Sequence, residues 1–223
     1  MEQKIRTEEL YEPGHTRAWQ WLKSTTYPWE ILPELKKLIP EIGAGLDPEV
    51  YEEREPGVWV ARSAKVAPTA YLGAPCIIGE NTEVRHGAFI RGNALVGDNC
   101  VVGNSVELKN VILSDNVQTP HYNYVGDSVL GYRSHMGAGS VTSNVKSDKT
   151  LVTVKTEPPM ETGLKKFGAM LGDFVEVGCN SVLNPGTVIG PHSNIYPTSS
   201  VRGVIPANCI FKSGKDVEIV EKQ

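Results

Sequence analysis

An aliphatic residue recurs every six positions along most of this chain. A first run of nine extends from Val60 to Leu108, and a second run resumes at Leu171 and continues to Val201. A small residue such as Gly97 usually follows the aliphatic one. A period of six belongs neither to an α-helix nor to an ordinary amphipathic strand. It is typical of a parallel β-helix, in which each hexapeptide forms one short strand and one turn, and stacked coils bury each other's apolar faces.

Residues 1–56 lie outside this repeat. They are rich in tryptophan, tyrosine and proline, and Ile31, Leu35, Leu38 and Ile42 have helical spacing. We expect a helical cap over one open end of the β-helix, because bare terminal strands invite aggregation and end repeats need capping. The alternative is that the aromatic surface of this segment lines a ligand site.

The repeat slips after Leu108 and then breaks until Leu171. The break contains a loop over residues 145–168, and a loop this long in a compact solenoid is usually functional or disordered. Because its flank is basic and bordered by glycines, we expect an extruded arm that reaches a neighbouring subunit. The β-helix is predicted over residues 57–212, followed by a C-terminal tail over residues 213–223.

Composition excludes several functional classes. The 223 residues have a net charge of −4, so we expect no nucleic-acid partner. There is no run of about 18 apolar residues and no signal-peptide core, which predicts a soluble cytoplasmic protein without a membrane partner. Cys76, Cys100 and Cys209 occupy a small inward position of the repeat, which indicates core packing rather than disulfides. Cys179 falls at an outward position.

Cations stand at three positions of the repeat that are usually small: Arg85, Arg91 and Lys109. Arg91 and Lys109 are eighteen residues apart, which is one coil, so they are expected to stack on the same side of the prism. Stacked cations repel each other unless an anion lies beside them, and a phosphate is the natural candidate. The alternative is that both are solvated surface residues that splay apart. His121 lies in a polar aromatic stretch, and histidine is the side chain best suited to general-base catalysis near neutral pH.

Three blocks of sequence, in this order and spacing, resemble one family: Val106-Glu-Leu-Lys109, Pro120-His-Tyr-Asn-Tyr-Val-Gly-Asp127 and Gly137-Ala-Gly-Ser-Val-Thr-Ser-Asn144. The family is the acetyltransferase domain of the bifunctional N-acetylglucosamine-1-phosphate uridyltransferase/glucosamine-1-phosphate acetyltransferase, together with related C-terminal domains of sugar-phosphate nucleotidyltransferases. The resemblance covers roughly residues 58–212. It implies a left-handed parallel β-helix, a homotrimer with active sites at subunit interfaces, acetyl-CoA as co-substrate, and a sugar phosphate or nucleotide-sugar as acceptor.

The resemblance also implies roles for individual residues. His121 matches the general base that takes a proton from the sugar amine, and Asn144 matches a residue that orients the acetyl carbonyl. The positions that match substrate-binding residues are Arg91, Lys109, Tyr124, His135 and Lys166, the last delivered from a neighbouring subunit. The positions that match the acyl-CoA groove are Ala138, Cys179 and Pro197. No metal ligand is implied.

Four positions depart from the family pattern. His135 replaces a sugar-binding asparagine, Val145 a tyrosine, Cys179 a serine and Pro197 an alanine. These differences leave the acceptor sugar open. In addition, no Leu-x-x-Gly-x-Gly-Thr-Arg segment occurs, so we expect no nucleotidyltransferase domain in this chain.

Three functions remain open at the level of the sequence. The first is an acyl-CoA-dependent transferase that acetylates an amino sugar phosphate or nucleotide-sugar. The second is a non-enzymatic sugar-nucleotide-binding or assembly module. The third is a metalloenzyme resembling the γ-class carbonic anhydrases, for which His86 and His121 have a suitable separation. Gly126, however, stands about where the third ligand should be, and a catalytic zinc needs three protein ligands.

Overall fold

The computed structural model describes residues 4–212, and most of them form a parallel β-solenoid. Most hexapeptides form one short strand and one turn, so that three strands make a coil. Residues eighteen positions apart, such as Val66 and Val84, pair in parallel on neighbouring coils. The all-β solenoid predicted from the six-residue period is confirmed. The predicted tail over 213–223 lies outside the described residues.

The strands form the three faces of a triangular prism. The first face contains β2 (Val58–Ala61), β5 (Cys76–Ile78), β8 (Ala94–Val96), β17 (Ala169–Leu171), β20 (Thr187–Ile189), β23 (Val204–Ile205) and the C-terminal halves of β10 (Glu107–Leu113) and β12 (Tyr124–Leu130). The second face contains β3 (Lys65–Val66), β6 (Glu83–Val84), β9 (Val101–Asn104), β11 (Gln118–His121), β13 (His135–Met136), β18 (Glu176–Val177), β21 (Asn194–Ile195) and β24 (Ile210–Phe211). The third face contains β4 (Tyr71–Leu72), β7 (Phe89–Ile90), β14 (Val141–Thr142), β19 (Val182–Leu183), β22 (Ser200–Val201) and the N-terminal halves of β10 and β12. β1 (Tyr51–Glu55) pairs antiparallel with β2.

The ladder residues fill the interior of the prism. Ile78, Ile90 and Val102, one from each face, are fully buried in a single apolar core. Cys76 and Cys100 lie in the same core, and burial raises the pKa of both thiols to about 12, so they stay protonated. Their predicted role as compact core residues is confirmed, and the four cysteines are free thiols.

The turns between strands need particular residues. Asn81 and Asn99 have positive φ angles of 56° and 55°, a left-handed conformation that asparagine tolerates better than most residues. Gly103 lies directly against the next coil, because a Cβ added there would overlap the carbonyl oxygen of Pro120. The small residue after the ladder position is therefore required where coils stack closely.

The N-terminal segment is helical, but it does not cover an open end of the solenoid as predicted. It contains α1 (Thr7–Leu10), α2 (Trp19–Leu22), a 3₁₀ helix (Pro28–Glu34) and α3 (Leu35–Ala44). Together with the loop after β14, these elements pack across the outside of the first face, over the outward apolar residues Ile77, Leu95, Ile112, Val129, Met170 and Val188. At one end of the solenoid, β1 pairs with the exposed edge of β2. No helix within residues 4–212 is both long and apolar enough to span a bilayer.

Residues 10–17 form a strap along the edge between the first and second faces. The amide of Asp173 donates to the carbonyl of Leu10 at 3.0 Å, and the amide of Asp115 donates to that of His15 at 2.8 Å. Arg17 then donates two hydrogen bonds to the carboxylate of Asp98, at 2.8 and 3.1 Å. The strap therefore runs against the direction in which the coils are built and contacts several of them in turn.

The predicted insertion, residues 145–168, is not a free arm. It contains a short hairpin of β15 (Thr153–Val154) and β16 (Met160–Glu161), and Val152, Val154 and Phe167 are fully buried in the same cluster as the N-terminal helices. The prediction of an arm that extends to a neighbouring subunit is wrong for these buried residues. Their apolar side chains complete the cover of the first face, which the helices alone leave open.

Candidate active site

The candidate site residues lie mainly along two parallel edges of the prism, on either side of the third face. The histidine edge, between the second and third faces, carries His121, Ala138, Cys179 and Pro197. The lysine edge, between the third and first faces, carries Arg91, Lys109, Asp127, Asn144, Asn184 and Arg202. The strands of the third face connect one edge to the other within each coil.

The histidine edge stacks four of the sequence-predicted residues on successive coils. The amide of Gly139 donates to the carbonyl of His121 at 3.0 Å, and the amide of Asn180 donates to that of Ala138 at 2.8 Å. The amide of Thr198 likewise donates to the carbonyl of Cys179 at 2.8 Å. Since stacked strands are about 4.8 Å apart, these residues form a continuous line parallel to the solenoid axis.

The ring of His121 is exposed at this edge, and its backbone is held firmly. Its amide donates to Oδ1 of Asn123 at 3.2 Å. The buried amide group of Asn123 donates in turn to the carbonyls of Gly137 and Ser140, at 2.9 and 3.0 Å. Among residues 4–212 no hydrogen-bond partner of the His121 ring is found. The site thus combines a fixed backbone with an imidazole that is open to a ligand.

The buried carboxylate of Asp127 organises the lysine edge. Nζ of Lys109 lies 3.0 and 3.1 Å from its two oxygens. Nδ2 of Asn110 donates to Oδ1 at 2.9 Å, and Nδ2 of Asn144 donates to Oδ2. Asn144 also donates to the hydroxyl of Tyr124 at 3.1 Å. An otherwise costly buried charge is therefore paired and hydrogen-bonded on both oxygens.

Arg91 and Lys109 stack on adjacent coils as predicted, because their neighbours Ile90 and Leu108 are paired. Each cation nevertheless has a carboxylate of its own. Nη1 of Arg91 lies 2.7 Å from Oε1 of Glu107, and this hydrogen bond raises the pKa of the guanidinium. Glu107 and Asp127 thus supply compensating charge within the chain, and the binding of a phosphate by Arg91 and Lys109 stays a prediction. The Arg91 side chain remains 45% exposed.

Tyr124 is half-buried between the two edges. Burial raises the pKa of its phenol, and the nearby charge of Asp127 acts in the same direction. The hydroxyl is therefore neutral at physiological pH. Because it accepts a hydrogen bond from Asn144, its own hydrogen is free to point to a ligand.

Two predicted site residues lie away from these edges or at their margin. His135 stands on the second face, where its Nδ1 lies 2.8 Å from Oε2 of Glu176. Lys166 is exposed at the end of the insertion, beside Phe167, whose amide donates to the carbonyl of Asn144 at 3.0 Å. The structure therefore places Lys166 near the lysine edge and His135 near neither edge.

The central role of Asp127 was not assigned from the sequence, although the residue belongs to a recognised block. Its partner Lys109 lies eighteen residues earlier, which is one coil, so the coil period could have predicted that the two side chains are neighbours.

We expect Asp127→Asn to destabilise the fold by about 2–3 kcal/mol, since hydrogen bonds to a charged group are worth about that much and the amide would face the donors of Lys109, Asn110 and Asn144. Asparagine keeps the left-handed backbone (φ 49°), so the effect isolates the charge. The measurement is the midpoint of urea unfolding. The matched control is Glu107→Gln, which removes an exposed pair and should cost less than about 1 kcal/mol. Equal effects of the two variants would contradict the central role of Asp127.

The histidines considered for a metal site do not meet within one chain. His86 and His121 lie on the same edge two coils apart, since Asn104 stands between them. Nδ1 of His86 is 2.7 Å from the hydroxyl of Thr69. In the described part of the chain, no three side chains of histidine, cysteine, aspartate or glutamate converge on a common point that would hold a metal ion.

Comparison with known proteins gives one family match. The family model of the GMPPB C-terminal domain matches residues 72–205. The bifunctional protein GlmU of Methanococcus vannielii is 30% identical over 199 residues, which is 86% of this chain and 44% of that protein. The bifunctional sugar-1-phosphate nucleotidylyltransferase/acetyltransferase of Sulfurisphaera tokodaii is 33% identical over 108 residues, 48% of this chain and 27% of that protein. The chain thus spans less than half the length of these relatives.

Among solved structures, the acetyltransferase domain of PglB from Neisseria gonorrhoeae in complex with acetyl coenzyme A has a distant similarity. It is 15% identical with a TM-score of 0.31, over 69% of this chain and 53% of that chain. A similarity this low does not bear on function.

Proposed function

This chain belongs to the GMPPB C-terminal domain family, and we propose that it is an acyl-CoA-dependent transferase that acetylates an amino sugar phosphate or nucleotide-sugar. The observation that carries the proposal is the histidine edge, where the exposed His121 ring heads a line formed by Ala138, Cys179 and Pro197. The name of the Sulfurisphaera tokodaii relative, a bifunctional sugar-1-phosphate nucleotidylyltransferase/acetyltransferase, points to the same chemistry.

In the proposed reaction the amino group of the sugar attacks the thioester carbonyl. The imidazole of His121 takes the amine proton, a role that typically contributes a rate factor of about 10²–10⁴. The tetrahedral intermediate then collapses and releases the coenzyme thiol. Arg91, Tyr124 and Lys166 are the candidates that hold the acceptor, with Lys109 close to them.

We propose for Asn144 a different role from the one that the family resemblance implies. The carboxylate of Asp127 is an acceptor only, so the NH₂ group of Asn144 must face it, and the second hydrogen goes to Tyr124. Its Oδ1 is therefore the side-chain atom left for a substrate. We assign Asn144 as a positioning residue that accepts a hydrogen bond from a ligand, rather than as the donor that polarises the thioester.

A complete site needs both edges, and a single chain holds them on opposite sides of the third face. We propose that a homotrimer with its axis parallel to the solenoid sets the histidine edge of one copy against the lysine edge of the next. Rotation about such an axis keeps each coil at the same height, and neighbouring copies then contact one another at matching levels. The exposed apolar residues Tyr71, Phe89 and Val182 along the third face support an interface there.

The proposal is tested by measuring thiol release from acetyl-CoA with glucosamine 1-phosphate and related amino sugars as acceptors. We expect turnover with a phosphorylated amino sugar and much less with free glucosamine, which lacks the phosphate. The absence of both turnover and acetyl-CoA binding across the panel would overturn the proposal.

A non-enzymatic sugar-nucleotide-binding module is the second candidate, and one observation favours it. Asn144 has both amide hydrogens occupied, by Tyr124 and Asp127, so it has no donor left to polarise a thioester carbonyl. Calorimetry separates the two functions. A catalytic site binds acetyl-CoA at micromolar concentrations, whereas the binding module takes a sugar nucleotide alone.

A further inference from the structure

A cavity of about 240 Å³ opens at the far end of the lysine edge, beyond Asn144. One wall is the start of the insertion, and the other is the turn at Asn184 together with Arg202 from the following coil. The lining residues are Ser143, Val145, Lys146, Ser147, Asp148, Asn184, Pro185 and Arg202. None of these residues was assigned a role by the sequence comparison, and none belongs to the cluster around Asp127.

The cavity carries excess positive charge. Nη2 of Arg202 donates to the neutral Oδ1 of Asn184 at 3.1 Å, and no carboxylate of the described residues forms an ion pair with it. Nζ of Lys146 donates to the hydroxyl of Thr150 at 2.6 Å and lies 3.5 Å from Oδ2 of Asp148. Asp148 is therefore the one acidic group facing two cations in this cavity lining.

The surrounding insertion adds to this charge. Lys155 packs against Gly203, the residue that follows Arg202. Residues 145–168 hold five lysines against three acidic residues, in a chain whose net charge is −4. A local surplus of cations on an acidic protein attracts an anionic ligand to this end of the edge.

The chemistry of the lining suits a phosphate. A guanidinium can grip a phosphate through two parallel hydrogen bonds, and an ammonium adds a point charge. The hydroxyls of Ser143 and Ser147 are further donors at the rim. The combination provides more donors than acceptors, as a phosphate requires.

The position of the cavity along the solenoid axis indicates which of the two substrates it binds. β14 connects Ala138 to Asn144, and β22 connects Pro197 to Arg202, so the cavity lies level with the predicted acyl-CoA groove. Arg91 and Lys109 lie on the opposite side of the His121 coil. Four coil spacings separate Lys109 from Arg202, about 19 Å at 4.8 Å per strand. The edge therefore has a cationic group at each end and the reactive centre between them.

We propose that the cavity formed by Lys146, Asn184 and Arg202 binds the phosphate groups of the acyl donor, at the end of coenzyme A remote from its thioester. The choice of coenzyme A rests on the proposed function. The phosphate site itself rests on the cavity and its charge. A phosphorylated acceptor offers the same chemistry, so the test separates the two sources.

The test is calorimetric titration of the full-length protein with coenzyme A, with 3′-dephospho-coenzyme A and with pantetheine, which has no phosphate. Arg202→Gln should weaken coenzyme A binding on the order of tenfold and leave pantetheine binding unchanged. Lys146→Gln should act in the same direction. The matched control is Arg62→Gln, an exposed arginine on the edge that carries the strap, and it should bind coenzyme A like the wild type. Circular dichroism checks that each variant is folded.

Three results would overturn the inference. Unchanged coenzyme A binding in both cavity variants would exclude the site. A selective loss of glucosamine 1-phosphate binding would reassign the cavity to the acceptor. If the wild-type protein binds no coenzyme A, the proposed function fails, and inorganic pyrophosphate becomes the probe. In that case, equal pyrophosphate affinity of wild type and Arg202→Gln would also refute a phosphate site.

Discussion

Replacing His121 by alanine is expected to lower kcat/KM for acetyl transfer by at least about a hundredfold, because a general base contributes about 10²–10⁴ to the rate. The affinity for coenzyme A should change little, since the ring projects from the edge while the backbone hydrogen bonds of the line remain. The measurement is initial-rate kinetics with the best acceptor, together with calorimetry of coenzyme A binding. The loss should appear mainly in kcat.

A second histidine on the same edge provides the control for His121. His86 lies two coils away and its ring is hydrogen-bonded to Thr69, so His86→Ala should retain most of the activity. Similar losses in the two variants would indicate damage to the edge as a whole. Full activity of His121→Ala would remove the proposed base from the mechanism.

Replacing Phe167 by alanine is expected to destabilise the protein by about 3–5 kcal/mol, the usual cost of deleting a buried phenyl ring. Phe167 is fully buried, and its ring centroid lies 5.4 Å from that of Trp29. Its amide also donates to the carbonyl of Asn144. The variant should therefore lower the urea midpoint and also loosen the position of Lys166, which would appear as a raised KM for the acceptor.

An exposed residue of the same insertion separates the effect of burial from that of the loop. Leu151 is 45% exposed, so Leu151→Ala should cost less than about 0.5 kcal/mol. If Phe167→Ala were equally mild, the insertion would not be anchored by this ring, and its contact with the N-terminal helices would be incidental to stability.

The fold could be predicted from the sequence because the period determines which side chains face inward. Ile78, Ile90 and Val96 are ladder residues, and all are fully buried. The lateral position of the N-terminal helices was missed although a signal existed. On the first face a second apolar residue, such as Ile77 or Leu95, stands before the ladder residue and points outward, which marks that face for a cover.

The residues of the candidate site could be selected from the sequence, but their positions relative to one another were not worked out from it. The blocks identified His121 and Asn144, and counting strands would have set them on different edges of one chain. The pairing of Lys109 with Asp127 could be inferred from an eighteen-residue step. The packing of Phe167 against Trp29 could not be inferred from the sequence, because this contact joins two segments outside the repeat and follows no period.

The strap has a consequence for the order in which the molecule assembles. The carboxylate of Asp173 accepts a hydrogen bond from the amide of Glu12 at 2.7 Å, across a separation of 161 residues. The strap precedes these coils in the chain, so it has no docking surface until the later coils exist. Contacts this distant in sequence close late, because the entropy of a long loop must be overcome first. Residues 10–17 are thus expected to dock last and to join coils that formed before them.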